Sequence, residues 1–192
     1  MDAFEQLVAE ILWMDGHWVR TSVKVELTKE EKRKIGRPSS PRWELDIVAY
    51  NGRDNLLRVV ECKSYLDSLG VQAKGFNAES DNASRYKLFN DASLREVIFQ
   101  RLQLQFCEAG FCSPNPSIKL CLACGKIDER SRTAIGRTFT EKGWELWDEN
   151  WLRERLGRMA ARGYENQISA VVSKLLLRGA LSKPPSLVSV CP

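Results

Sequence analysis

Four residues in the first third of the chain have types and spacing suited to phosphate chemistry: Glu5, Asp46, Glu61 and Lys63. Glu61 and Lys63 close an apolar run, LLRVVECKSY (56–65). Residues two apart on a strand share a face, so these side chains project together while Cys62 points into the opposite layer. Asp46 lies in the preceding segment, WELDIVAY (43–50), which alternates as a strand does. Asn51-Gly52 opens a short turn through Asp54 between the two segments, a strong hairpin signal. Antiparallel neighbours joined this way can bring Asp46 close to Glu61. Two carboxylates and an ammonium at the end of a buried hairpin are costly unless something uses them. Mg²⁺ would use them well, because it takes one or two carboxylates, keeps several waters and leaves room for a substrate phosphate. Such an ion lowers the pKa of a bound water, and a lysine beside it can orient that water or neutralise charge in the transition state.

The elements that must position these residues can be read along the chain. Residues 2–14 carry Phe4, Leu7, Val8, Ile11 and Leu12 with the period of an amphipathic helix, and Gly16 ends it. On a helical wheel Glu5 lies roughly 90° and Glu10 roughly 130° from the centre of the apolar stripe. Glu5 therefore borders the buried face and Glu10 faces solvent. Residues 17–27 read as a strand, followed by a basic loop (28–42) broken by Gly36, Pro38 and Pro41, then the hairpin strands 43–50 and 56–65. Residues 66–92, with GFNAESDNAS at their centre, read as a long functional or mobile loop. Residues 93–109 are expected to form a helix, 117–127 a buried strand, 140–161 a helix rich in Trp and Arg, and 164–177 a last helix. The tail after Lys183 is expected to be loose. The order α-β-β-β-α-β-α-α predicts an α/β fold, a mixed sheet between helices, in one domain spanning 1–182.

The pattern Asp46, hairpin, Glu61-Cys62-Lys63 resembles the D…(D/E)XK signature of the PD-(D/E)XK (restriction-endonuclease-like) nuclease superfamily. The opening FEQLVAEILWMDGHWV, with ELDIVAY and VVECKSY, looks most like Mrr-type restriction nucleases and archaeal Holliday-junction resolvases. The likeness covers Phe4 to about Tyr65, and the rest of the chain only by element order. It implies a restriction-endonuclease-like α-β-β-β-α-β core and a Mg²⁺-dependent endonuclease (Mn²⁺ substituting) that hydrolyses DNA phosphodiesters in restriction, repair, junction resolution or transposon-type cutting. Asp46 and Glu61 would be the metal ligands, Glu5 the first-helix acid that completes the metal site, and Lys63 the catalytic lysine. Leu45 stands where the family's Pro-Asp dipeptide has proline, although Pro41 is near. A helical Gln often follows the core in such nucleases, and Gln100 or Gln103 could serve.

Composition sets the competing readings. The 192 residues are 43% hydrophobic and 28% charged, an ordinary globular balance with enough chain for one sizeable core. No apolar run approaches the roughly 20 residues needed to span a bilayer, and the start has no basic-then-apolar leader, so a cytoplasmic protein is expected. Between residues 29 and 42 six basic side chains (Lys29, Lys32, Arg33, Lys34, Arg37, Arg42) face only Glu30 and Glu31, which accounts for the whole net charge of +4. Such a run is commonly a solvated loop; on a nuclease it would contact phosphates. A single histidine, His17, argues against His-rich zinc hydrolases and Ser-His-Asp schemes. Cys107, Cys112, Cys121 and Cys124 are spaced x4, x8, x2, which matches no tight zinc template, and buried thiols are the simpler reading. Trp144, Trp147 and Trp151 at helical spacing read as a core-facing stripe, with Arg153, Arg155, Arg158 and Arg162 as a solvated face or a continuation of the basic surface toward nucleic acid. Three functions follow: the nuclease; a catalytically silent nucleic-acid-binding or assembly module of the same fold; and a structural zinc domain. RNA stays open as substrate, since a metal site reads phosphate rather than sugar. Cutting both strands of a duplex calls for two sites, hence a homodimer, with the last helix as one candidate interface, or a larger nuclease complex.

Overall fold

The computed structural model describes residues 2–39, 42–163 and 165–177. Pro41, Tyr164 and the tail 183–192 with Cys191 lie outside them. Two compact units divide the chain, Met1–Glu149 and Asn150–Pro192. The first holds a five-stranded mixed sheet flanked by helices: α1 (Ala3–Met14), β1 (Trp18–Val25), α2 (Lys29–Lys34), β2 (Trp43–Asn51), β3 (Leu56–Lys63), α3 (Lys87–Asn90), α4 (Ala92–Glu108), β4 (Ser117–Cys124), α5 (Arg132–Lys142) and β5 (Glu145–Trp147). Glu149 begins α6 (Glu149–Ala161), and α7 (Ile168–Leu177) belongs to the second unit. No helix among the described residues is long and apolar enough to cross a membrane.

The strands lie in chain order, β1-β2-β3-β4-β5. The first three are antiparallel; β4 and β5 add in parallel after the crossovers that contain α4 and α5. Alternation builds a core on each face of the sheet. Leu57, Val59, Leu120 and Leu122 join Leu94, Ile98, Leu102 and Phe106 of α4 in one cluster. Val60, Ile47, Ala49, Cys121 and Ala123 are buried outside it, as are Phe4, Val8, Ile11 and Leu12 of α1, which packs on β1, β2 and β3.

Both flanking helices begin where a side chain can take their first free N–H groups. Asp2 Oδ1 accepts from Phe4 N and Glu5 N, and Asp91 Oδ1 accepts from Leu94 N at 2.9 Å.

Three segments differ from expectation, the first being the basic loop 28–42, which contains the helix α2 because Thr28 and Glu31 form a capping box at its start. Residues 140–161 are not one helix: Gly143 caps α5 at φ 67°, β5 follows, and only then α6 begins. The three tryptophans therefore share no helical stripe. Trp144 packs edge-on to Phe89 and Phe139, Trp147 is a buried residue of β5, and Trp151 lies on α6 with Arg155 over its ring. The long loop 66–92 is also partly built. It contains 3-10 turns at Ala73–Phe76 and Asp81–Arg85 as well as α3, and it buries Tyr86, Leu88 and Phe89 in the α4-side core.

Candidate active site

The sheet forks where the sequence puts its charges. The β2–β3 ladder runs from Asn51↔Leu56 to Ile47↔Val60 and stops one pair short of Asp46 and Glu61. Beyond that point β2 stays paired to β1 as far as Val25↔Trp43, and β3 stays paired to β4 as far as Lys63↔Cys124. Asp46 replaces the missing rung with its side chain, Oδ2 accepting from the Cys62 N–H at 2.8 Å. The register of β1 with β2 also skips Ser22 opposite Asp46, and Ser22 takes φ 50° in mid-strand. Leu45 and Val48, three apart, sit in the same core cluster, so β2 breaks its alternation at this point. Left-handed backbone at a non-glycine residue costs about 1–3 kcal/mol and gathers at functional sites.

Within the fork, Lys63 Nζ donates to Glu61 Oε1 at 2.7 Å, and both side chains are about one-fifth exposed (21% and 22%). Cys62, between them, is buried, as the alternation requires. Burial raises the Glu61 pKa, and the charges of Asp46 and Glu5 add to this against the pull of Lys63. Burial works against the Lys63 charge, but the Glu61 carboxylate, its hydrogen bond and Asp46 outweigh that and raise its pKa, so the ammonium persists. Glu5 is half-buried in the first turn of α1. Burial first, then the Asp46 charge, raises its pKa. It also closes a capping box, with Oε2 accepting from Asp2 N at 3.1 Å. The four residues thus form one electrostatic group at the mouth of the fork, reached from α1, β2 and β3.

A divalent ion can be tested against this donor set. Among the described residues no three His, Cys, Asp or Glu side chains are gathered closely enough to cage an ion. Mg²⁺ does not need that cage, since one or two carboxylates with water and phosphate complete its shell. Asp46 Oδ1 and Glu61 Oε2 accept no hydrogen bond among the described residues, so each carboxylate keeps an oxygen to offer. The residues fit an ion held by Asp46 and Glu61, with Glu5 as a third acid whose charge is felt by Glu61.

The other sequence candidates are scattered. Lys29, Lys32, Arg33 and Lys34 form the short helix α2, capped by Thr28 and tied to α4 through the Arg101–Glu31 ion pair (2.7 Å). Arg37 lies over the Trp43 ring at 5.1 Å, and Arg42 is exposed at the start of β2. Gln100 is exposed and donates to Glu96, and neither it nor Gln103 bonds to any residue of the fork. Gln105, not singled out by sequence, clamps the β1 end instead, donating to Lys24 O and accepting from Glu26 N. Cys121 and Cys124 are buried in β4, with only Cys124 in the α4-side cluster, while Cys107 and Cys112 pair at the end of α4 with sulfurs 3.5 Å apart.

Two features escaped the sequence reading. Tyr65, two residues past Lys63, sits at φ 42°, rare for a bulky side chain, and nothing in its identity signals this. His17, just before β1, is the second. Its Nε2 lies 3.1 Å from Arg58, and Arg58 pairs with Glu145 of β5 at 2.9 Å.

No protein-family model, curated protein or solved structure matches this chain.

Proposed function

We propose that this chain is a Mg²⁺-dependent nuclease of the PD-(D/E)XK kind, hydrolysing DNA phosphodiesters at the fork between β2 and β3. The observation that carries this is the coincidence of Asp46, Glu61 and Lys63 with the one place where the β2–β3 ladder stops while its outer partners continue. The element order α1-β1-β2-β3-α4-β4 agrees with the restriction-endonuclease-like core expected from the motif, as does an acid on the first helix. In this reading Asp46 and Glu61 hold the ion, which when bound supplies an activated water and neutralises developing charge. Asp46 keeps its geometry because Cys62 N–H fixes one of its oxygens. Lys63, held as an ammonium by Glu61, stands ready to hydrogen-bond a phosphate oxygen or the attacking water; it is a charge donor here, not a base. Glu5 adds negative potential that favours a cation in the fork.

A catalytically silent binding module is the second reading, and the pairing of Lys63 Nζ with Glu61 Oε1 at 2.7 Å, which satisfies both groups without an ion, is what favours it. A substrate panel separates the two: duplex plasmid, linear duplex, single-stranded DNA and RNA, each with Mg²⁺ and with EDTA. Metal-dependent cutting of DNA is expected. Binding without cutting of any member would leave the silent module.

A further inference from the structure

Immediately beyond Lys63 the chain builds a cavity of about 290 Å³, near the lower end of the size at which ligand sites begin. Tyr65, Ser68, Gln72, Asn82, Arg85 and Tyr86 line it, and no acidic residue does. It adjoins the fork directly, because the Tyr86 ring centre is 6.0 Å from Lys63 Nζ. The walls are held from behind. Tyr86 is buried against Phe76 and Phe89, and burial pushes its hydroxyl pKa up, with Tyr65 beside it adding to this. Gly75 makes room for that ring, since a Cβ there would lie 2.6 Å from it. Gly70, at φ 93°, lies against the backbone of residues 126–128, where a Cβ would come within 2.8 Å of the Lys126 carbonyl. Val71 N donates to Lys126 O, and Lys126 Nζ donates to Ser68 O at 2.7 Å. The cavity is therefore preformed, and the left-handed Tyr65 backbone is part of its rim.

Its chemistry is that of a nucleotide site. The half-buried Tyr65 offers an aromatic ring to a base, the amides of Gln72 and Asn82 and the Ser68 hydroxyl suit a base edge, and Arg85, exposed at the rim, suits a phosphate. A base within a duplex is stacked on both sides and cannot enter; one in an unpaired strand can. We propose that this cavity receives one unstacked nucleotide of the strand being cut, next to the phosphate at Lys63, so that single strands are engaged ahead of continuous duplex. The proposal rests on the nuclease reading above.

The test is equilibrium binding of the whole chain, in EDTA, to a short oligodeoxynucleotide carrying one 2-aminopurine, as a single strand and annealed to its complement. Wild type should bind the single strand about tenfold more tightly, with a change in 2-aminopurine fluorescence on stacking. Tyr65→Gly, which suits the left-handed backbone while removing the ring, and Arg85→Ala, at an exposed position, should each erase most of that preference. Equal affinity for both forms, or a preference that survives both substitutions, would overturn the proposal. Cleavage in Mg²⁺ by the same preparation keeps the two ideas apart. Cutting without the strand preference refutes the cavity and leaves the nuclease, whereas the preference, lost in both variants, without cutting upholds the cavity and refutes the nuclease.

Discussion

Asp46 is both a structural acceptor and, in the proposed chemistry, a ligand, and its two roles can be pulled apart. Its Oδ2 takes the Cys62 N–H that the interrupted ladder leaves without a backbone partner. Asp46→Ala strands that donor in a half-buried position, which should cost about 1–3 kcal/mol, while Asp46→Asn keeps an acceptor there and should cost less than about 1 kcal/mol. Urea unfolding midpoints check the pair; equal losses for both would mean that the charge, not the hydrogen bond, holds the strands. The candidate residues were legible in the sequence because a strand period of two places Glu61 and Lys63 together, and an Asn-Gly turn folds Asp46 back toward them. The capping role of Glu5 was legible in principle too, since Asp2 and Glu5 have the spacing of a capping box. The backbone of Ser22 and Tyr65 was not, because neither residue type favours left-handed φ and only tertiary packing imposes it.

At the scale of elements, α1 could be read from its helical period, the hairpin from the Asn-Gly turn between two β-forming runs, and α4 from Leu94, Ile98, Leu102 and Phe106 recurring every fourth residue. The α5–β5–α6 stretch could not, because Trp144, Trp147 and Trp151 mimic a helical stripe by chance. Gly143 was the signal that should have broken it. β5 matters because Glu145 is tied through β3 to the end of α1 by one polar chain: it pairs with Arg58, which meets His17 Nε2, while His17 Nδ1 meets Leu12 O. Burial, and then the Arg58 guanidinium, outweigh the Leu12 carbonyl and lower the His17 pKa. The unfolded chain then takes up that proton first, at a pKa of about 6.5. This contribution to stability is complete above that pH and is lost as pH falls below it through the lower folded value. Urea midpoints between pH 8 and 5.5 should decline on acidification, and His17→Gln should flatten the decline; an unchanged slope in the variant would remove His17 as its source.

For the molecule as a whole, the net +4 charge resides in one segment, residues 29–42, and its helix α2 is anchored rather than free: Glu31 straps it to Arg101 of α4. Lys29, Arg33 and Lys34 stay exposed on it. If they contact phosphates, replacing all three by Ala should weaken DNA binding uniformly across sequences. The triple variant should also lower the slope of log K against log salt by up to about three. An unaltered slope would return the segment to a merely solvated surface. Charge of this kind brings a polyanion to the protein but does not cut it. The central claim is that the fork does, and the most direct test is single-turnover cleavage of single-stranded and duplex DNA in Mg²⁺ by wild type, Asp46→Asn and Lys63→Ala, each with its unfolding midpoint measured. Wild type should cut in a metal-dependent way, abolished by EDTA and lowered at least about a hundredfold by either substitution in a folded protein. Cutting at wild-type rates by either variant, or intact DNA with all three proteins folded and bound to it, would contradict that claim.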